Sequence, residues 1–159
     1  MVMTKWVFNI TTLALAGLAA VLLAISGQAS ASSKRELVVI VNKANTVGSI
    51  SKAELSHIYL GKRKTWVTGD IVRPCDLQEP GVEEELTSMS LFSARYLNKD
   101  IATLKSYWIK MIFSGKGQPP QVFKKPEDVI RVVSEDPASL GYVYSDQVTG
   151  SVRVVPVGE

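Results

Sequence analysis

Three groups of residues have types and spacing that could do chemistry: the thiol of Cys75 with the imidazole of His57, the acidic run Glu83-Glu84-Glu85, and the turn Asp76-Leu77-Gln78-Glu79-Pro80-Gly81-Val82. A thiol nucleophile needs a base and a group that orients the base. His57 is the one histidine, and no residue in the pattern supplies the third role. Cys75 instead reads as a small apolar strand residue between Ile71-Val72 and Leu77, and as the sole cysteine it forms no internal disulfide. The contiguous glutamates fan round a helix rather than converge, and nothing has EF-hand or zinc spacing, so neither a metal nor a cofactor is expected. In Ser114-Gly115-Lys116-Gly117-Gln118 the lysine is followed by glycine rather than Ser or Thr, which removes a phosphate-loop reading. The turn is the strongest physical candidate, because free N–H groups at a helix start attract oxyanions. Its donors are Gln78 and the N–H groups of Gly81 and Val82. Pro80 has no N–H, and Glu79 with Glu83 to Glu85 opposes an anion. Any binding there is expected to be weak and non-covalent.

The elements that position these residues follow from apolar spacing. Leu37 to Val41 is an unbroken apolar run suited to a strand covered on both faces. Ser51 and Glu54 have the spacing of a capping box, Leu55, Ile58 and Tyr59 share a helical face, and Gly61 stops the helix. Ile71 to Cys75 reads as a strand whose end Pro74 weakens, and Pro80 to Phe92 as a helix. A helix from Asp100 carries Ile101, Leu104, Trp108, Met111 and Ile112 as a core stripe. Phe113 to Pro120 is a loop, Pro126 to Glu135 a helix, Leu140 to Tyr144 a strand, Ser145 to Thr149 a turn and Val152 to Val157 the closing strand. Strands alternating with helices predict one α/β sheet of four to five strands.

Residues 1–31 read as a secretory signal: Lys5, an apolar run from Leu13 to Ile25, and Ala29-Ser30-Ala31 at the cleavage point. The competing reading is a membrane anchor, so a membrane would be met only through an uncleaved segment. Residues 32–159 then form one exported, periplasmic domain, large enough for a core. Losing Lys5 lowers the net charge from +3 to +2, which does not point to nucleic acid. Lys62-Arg63-Lys64 and Lys124-Lys125 read as solvated surface runs.

The order Ile58-Tyr59-Leu60-Gly61-Lys62, then Trp66 and a strand, with Ala138-Ser139-Leu140-Gly141-Tyr142-Val143 later, resembles the second lobe of the phosphate-binding proteins of ABC importers. The resemblance covers nearly all of residues 32–159. It implies a single lobe of a type 2 periplasmic-binding-protein fold, a mixed sheet with helices on both faces, and no enzymatic activity. It also implies a small phosphate-like anion and the membrane subunits of an ABC transporter as partners. In that family the turn after the second strand carries an arginine and a Gly-Ser-Gly-Thr run that hold phosphate. Here Asp76 to Val82 has no Ser or Thr hydroxyl. The alternative is therefore a lobe without a ligand that serves as an interaction or sensory module for an envelope protein, with Lys62-Arg63-Lys64 as docking loop.

Overall fold

Leu37–Asn42 forms β1 near the middle of a five-stranded sheet, as its unbroken apolar run requires. The computed structural model describes residues 35–159. The proposed signal segment 1–31 and its cleavage point lie outside them. Among the described residues no helix is long and apolar enough to cross a membrane.

After β1 come β2 (Ile50–Ser51), α1 (Lys52–Tyr59), β3 (Arg73–Leu77), α2 (Ser88–Phe92) and a π-helical turn (Ser93–Leu97). Then follow α3 (Ile101–Phe113), β4 (Gln121–Phe123), α4 (Pro126–Glu135), β5 (Ser139–Tyr144), β6 (Val152–Val155) and β7 (Val157–Gly158). The main sheet has the order β4-β3-β5-β1-β6. β3 lies parallel to β4 and β5, while β1 runs antiparallel to β5 and β6, so the sheet is mixed as expected. β2 and β7 form a separate parallel pair.

Helices cover both faces, and β5 shows how. Gly141 and Tyr142 are neighbours on the strand and so face opposite ways. A Cβ on Gly141 would lie 2.6 Å from Val129 Cγ1 and 3.3 Å from Val133 Cγ2, so α4 seats on the sheet where that side chain is absent. Tyr142 faces the other layer, where its ring stacks on Phe92 of α2 with centroids 3.9 Å apart and planes 8° apart. Tyr59 of α1 tilts against Phe92 at 4.6 Å and donates its hydroxyl to the Cys75 carbonyl at 3.1 Å.

Several local expectations change. Ser51 accepts the Glu54 N–H at 3.2 Å, but the Glu54 carboxylate turns to Arg63 at 2.9 Å instead of returning to Ser51, so half of the capping box forms. β3 starts at Arg73, not Ile71, which is exposed and meets Thr65 in an isolated bridge. Pro74 is tolerated inside β3 because β4 begins to pair only at Cys75. The short edge strand β4 was not expected, since three residues after two prolines carry little pattern. Pro156 divides the closing strand, and its second part leaves to pair with β2.

α3 keeps Ile101, Leu104 and Trp108 in the core, with Asp100 capping the Thr103 N–H at 2.6 Å. Ile112, expected inside, faces solvent. Trp108 instead closes over the α1 stop: its ring edge lies 3.1 Å from where a Gly61 Cβ would stand, and Gly61 has φ +66°. Tyr107 donates to the Leu60 carbonyl at 2.7 Å, fixing α3 to the same turn.

The approach at Gly141 predicts that Gly141→Ala lowers unfolding stability by about 1–3 kcal/mol through overpacking. Gly150→Ala, at a position with open space, should change it by less than about 0.5 kcal/mol in the same denaturant titration.

Candidate functional site

β3 delivers Asp76 and Leu77 to the carboxyl end of the sheet, beside Tyr142 of β5. Tyr142 donates its hydroxyl to Asp76 Oδ1 at 2.8 Å and accepts the Leu77 N–H at 3.3 Å. Burial pushes the Asp76 carboxyl up from 3.8 to about 6, and the Tyr142 hydrogen bond only partly offsets this. Burial also raises the phenols of Tyr59 and Tyr142 well above their ordinary value, with the Asp76 charge adding to the effect.

The chain then leaves the sheet through Gln78 and Glu79, and the expected helix does not begin at Pro80. Gly81 takes φ +75°, a left-handed conformation that ends any continuous helical path, and Glu84–Leu86 forms one tight turn. The helix starts at Ser88, with Thr87 as its cap: Thr87 Oγ1 accepts the Ser90 N–H at 3.3 Å. The hydroxyls missing from Asp76 to Val82 are thus present further on, as Thr87, Ser88 and Ser90, all buried.

Each of these hydroxyls already has a partner within the chain. Thr87 donates to the Glu84 carbonyl at 2.9 Å, and Ser90 donates to the same carbonyl. Ser88 donates both its backbone N–H, at 2.9 Å, and its hydroxyl to the carboxylate of Glu79. A side chain nine positions earlier therefore places a carboxylate at the helix start, where the dipole favours negative charge.

Gln78, Gly81 and Val82 are not brought together on this helix start. The Gln78 amide oxygen accepts from Lys124 Nζ at 3.3 Å, and its N–H donates to the Phe123 carbonyl of β4. Gly81 and Val82 lie on the exposed turn, where their N–H groups have no hydrogen-bond acceptor among the described residues. Two signals could have found the true helix start. Pro80-Gly81 is itself a turn dipeptide, and Thr87 stands two positions before Met89, the first apolar residue of the run Met89-Ser90-Leu91-Phe92.

The other candidates separate as well. Burial pushes the Cys75 thiol up to about 12, with Asp76 and Asp136 adding, so it stays protonated; His57 is exposed on α1. Among the described residues no group of His, Cys, Asp and Glu could hold a metal ion. In the basic loop Arg63 pairs with Glu54 and donates to the Thr65 carbonyl. Lys62 and Lys64 make no ion pair among the described residues.

No family model matches the sequence, and no curated protein does. Solved structures do match. A protein from Clostridium perfringens described as a phosphate ABC transporter substrate-binding protein, solved with phosphate bound, is 17% identical over 77% of this chain, with a TM-score of 0.58. PstS from Borrelia burgdorferi is 18% identical over 79%, with a TM-score of 0.56. An ABC-type phosphate transport receptor from Vibrio cholerae is 15% identical over 77%, with a TM-score of 0.51. This chain spans a little under half the length of each: 45%, 48% and 46%. At such identity the likeness establishes the fold, an α/β lobe of the kind found in phosphate-binding proteins.

Two outcomes follow from the geometry. Asp76 is neutral more readily in the folded chain than in the unfolded one, so stability falls as pH rises from about 4 to about 6 and is level above. Relative to Asp76→Asn, the wild type should lose roughly 3 kcal/mol across that window at most; a difference between the two that stays constant from pH 4 to 7 would contradict this. Glu79→Ala leaves the buried Ser88 donors without their acceptor and should lower stability by about 1–3 kcal/mol, whereas Glu79→Gln retains an acceptor oxygen and most of the stability.

Proposed function

We propose that this is an exported, non-enzymatic domain of the periplasmic solute-binding type that works in the cell envelope by contacting another protein, and that it does not retain phosphate. The observation that carries the reading is the Glu79 carboxylate on the Ser88 N–H and hydroxyl. Magnitudes favour Glu79 over a free anion at that position. A tethered group competes at an effective concentration of about millimolar or more, so micromolar solute does not displace it. A second anion beside it meets repulsion of about 4 kcal/mol per pair of unit charges at 4 Å and an effective dielectric constant near 20. Export rests on the signal-like residues 1–31, with cleavage after Ala31 placing the domain in the periplasm. The partner is an envelope protein, ABC transporter membrane subunits among the possibilities that the shared fold supports.

A second reading has one observation in its favour. The N–H groups of Gly81 and Val82 are unpartnered on an exposed turn beside Gln78, so a small anion such as phosphate could be held there weakly. Calorimetric titration of the exported protein with phosphate and sulfate separates the readings. The leading one predicts no heat at concentrations that would reveal a Kd of about 1 mM, equivalent to about −4.1 kcal/mol. Binding at that level, with amide shifts confined to Gly81 and Val82, would favour the second. A micromolar Kd for phosphate would overturn the leading reading.

A further inference from the structure

We infer that the outer face of α3, with the groove at its carboxyl end, docks an acidic segment of a partner protein through apolar anchors. The inference rests on reading the domain as an interaction module and names the chemistry of its partner. Ile109, Ile112 and Phe113 lie three and four positions apart on one face of α3, and they are 54, 51 and 88% exposed. Three large apolar side chains adjoining on one exposed helix face exceed the scattered exposure that ordinary surfaces show.

The charge that this segment itself carries has one sign. From Ile101 to Gln118 the sequence carries Lys105, Lys110 and Lys116 and no Asp or Glu. Lys105 is paired with Glu84, but Lys110 and Lys116 make no ion pair among the described residues, and neither does Lys64 across the groove. Lys64, Ile112 and Lys116 line a common groove of about 480 Å³ with Gly115 and Gly117, and a Cβ on Gly115 would meet only open space. An apolar residue flanked by two uncompensated lysines calls for an occupant with the complementary pattern: carboxylates alternating with Leu, Ile or aromatic side chains. The groove between Lys64 and Lys116 has room for a side chain of a docking segment, space that a bilayer lying on the apolar face would leave unfilled.

Selection from a random displayed-peptide library, on protein purified after export from cells expressing the full chain, tests this. The expected enrichment is in peptides mixing Asp or Glu with Leu, Ile, Phe or Trp. The selected peptides, added back to the free protein, should shift amide resonances of residues 109–118. Affinity should fall about tenfold or more in Lys64→Glu/Lys116→Glu and in Phe113→Ser, all surface changes that leave the core intact, and should weaken as salt rises. Enrichment of basic or uncharged peptides, shifts elsewhere on the domain, or equal affinity for the variants would overturn the inference. Shifts in residues 109–118 produced by vesicles of phosphatidylglycerol and phosphatidylethanolamine, with no acidic peptide selected, would replace the peptide with a membrane and also overturn it. Failure here with no phosphate heat removes the docking face alone; micromolar phosphate binding removes the underlying reading whatever the peptides do.

Discussion

A buried donor must find an acceptor, and at the carboxyl end of β3 that requirement is met from within the chain. Ser88 is fully buried, and its N–H and hydroxyl both point to Glu79. Losing that acceptor would cost about 1–3 kcal/mol. The route of the chain between β3 and α2 follows from this: Gly81 turns in the left-handed region, and the tight turn at Glu84–Leu86 returns the chain so that Thr87 can cap and Ser88 can reach Glu79.

The same helix start is tied to the sheet by a second set of contacts. Phe92 stacks on Tyr142, Tyr142 holds Asp76 and Leu77, and Tyr59 holds the Cys75 carbonyl. On the opposite face, the missing side chain of Gly141 lets α4 close on the same strand. One strand pair, β3 with β5, thus organises both layers, and it sets the polar cluster of Asp76 and Tyr142 in a low-dielectric interior where a carboxyl resists ionisation. In this chain the start of α2 holds its own carboxylate, that of Glu79.

Much of the architecture was legible because it depends on local pattern. The apolar runs of β1 and β5, the start of α3 at Asp100 and the Pro126 start of α4 all appear where spacing places them. The site was less legible because it depends on where one helix begins. Reading Pro80 to Phe92 as a single helix put the donors at Gly81 and Val82 and hid Thr87, Ser88 and Ser90 in its interior. Three consecutive glutamates suit a helix start by dipole, yet here Glu84 serves through its carbonyl and its pair with Lys105. From the sequence Glu79 reads as a charge that opposes an anion; in three dimensions it is the acceptor for the Ser88 donors at the start of α2. Ile112 was misplaced for a simpler reason: it falls at the border of the stripe, and Trp108 already fills the space over Gly61.

The central claim is that Glu79, and no solute, satisfies the Ser88 donors. The most direct measurement is the Ser88 amide resonance followed by NMR as phosphate is added to the exported protein, alongside its exchange rate with solvent. An occupied donor predicts a slowly exchanging amide whose resonance stays fixed through millimolar phosphate. A saturable shift of that amide at lower phosphate, with Glu79 released to solvent, would contradict the account.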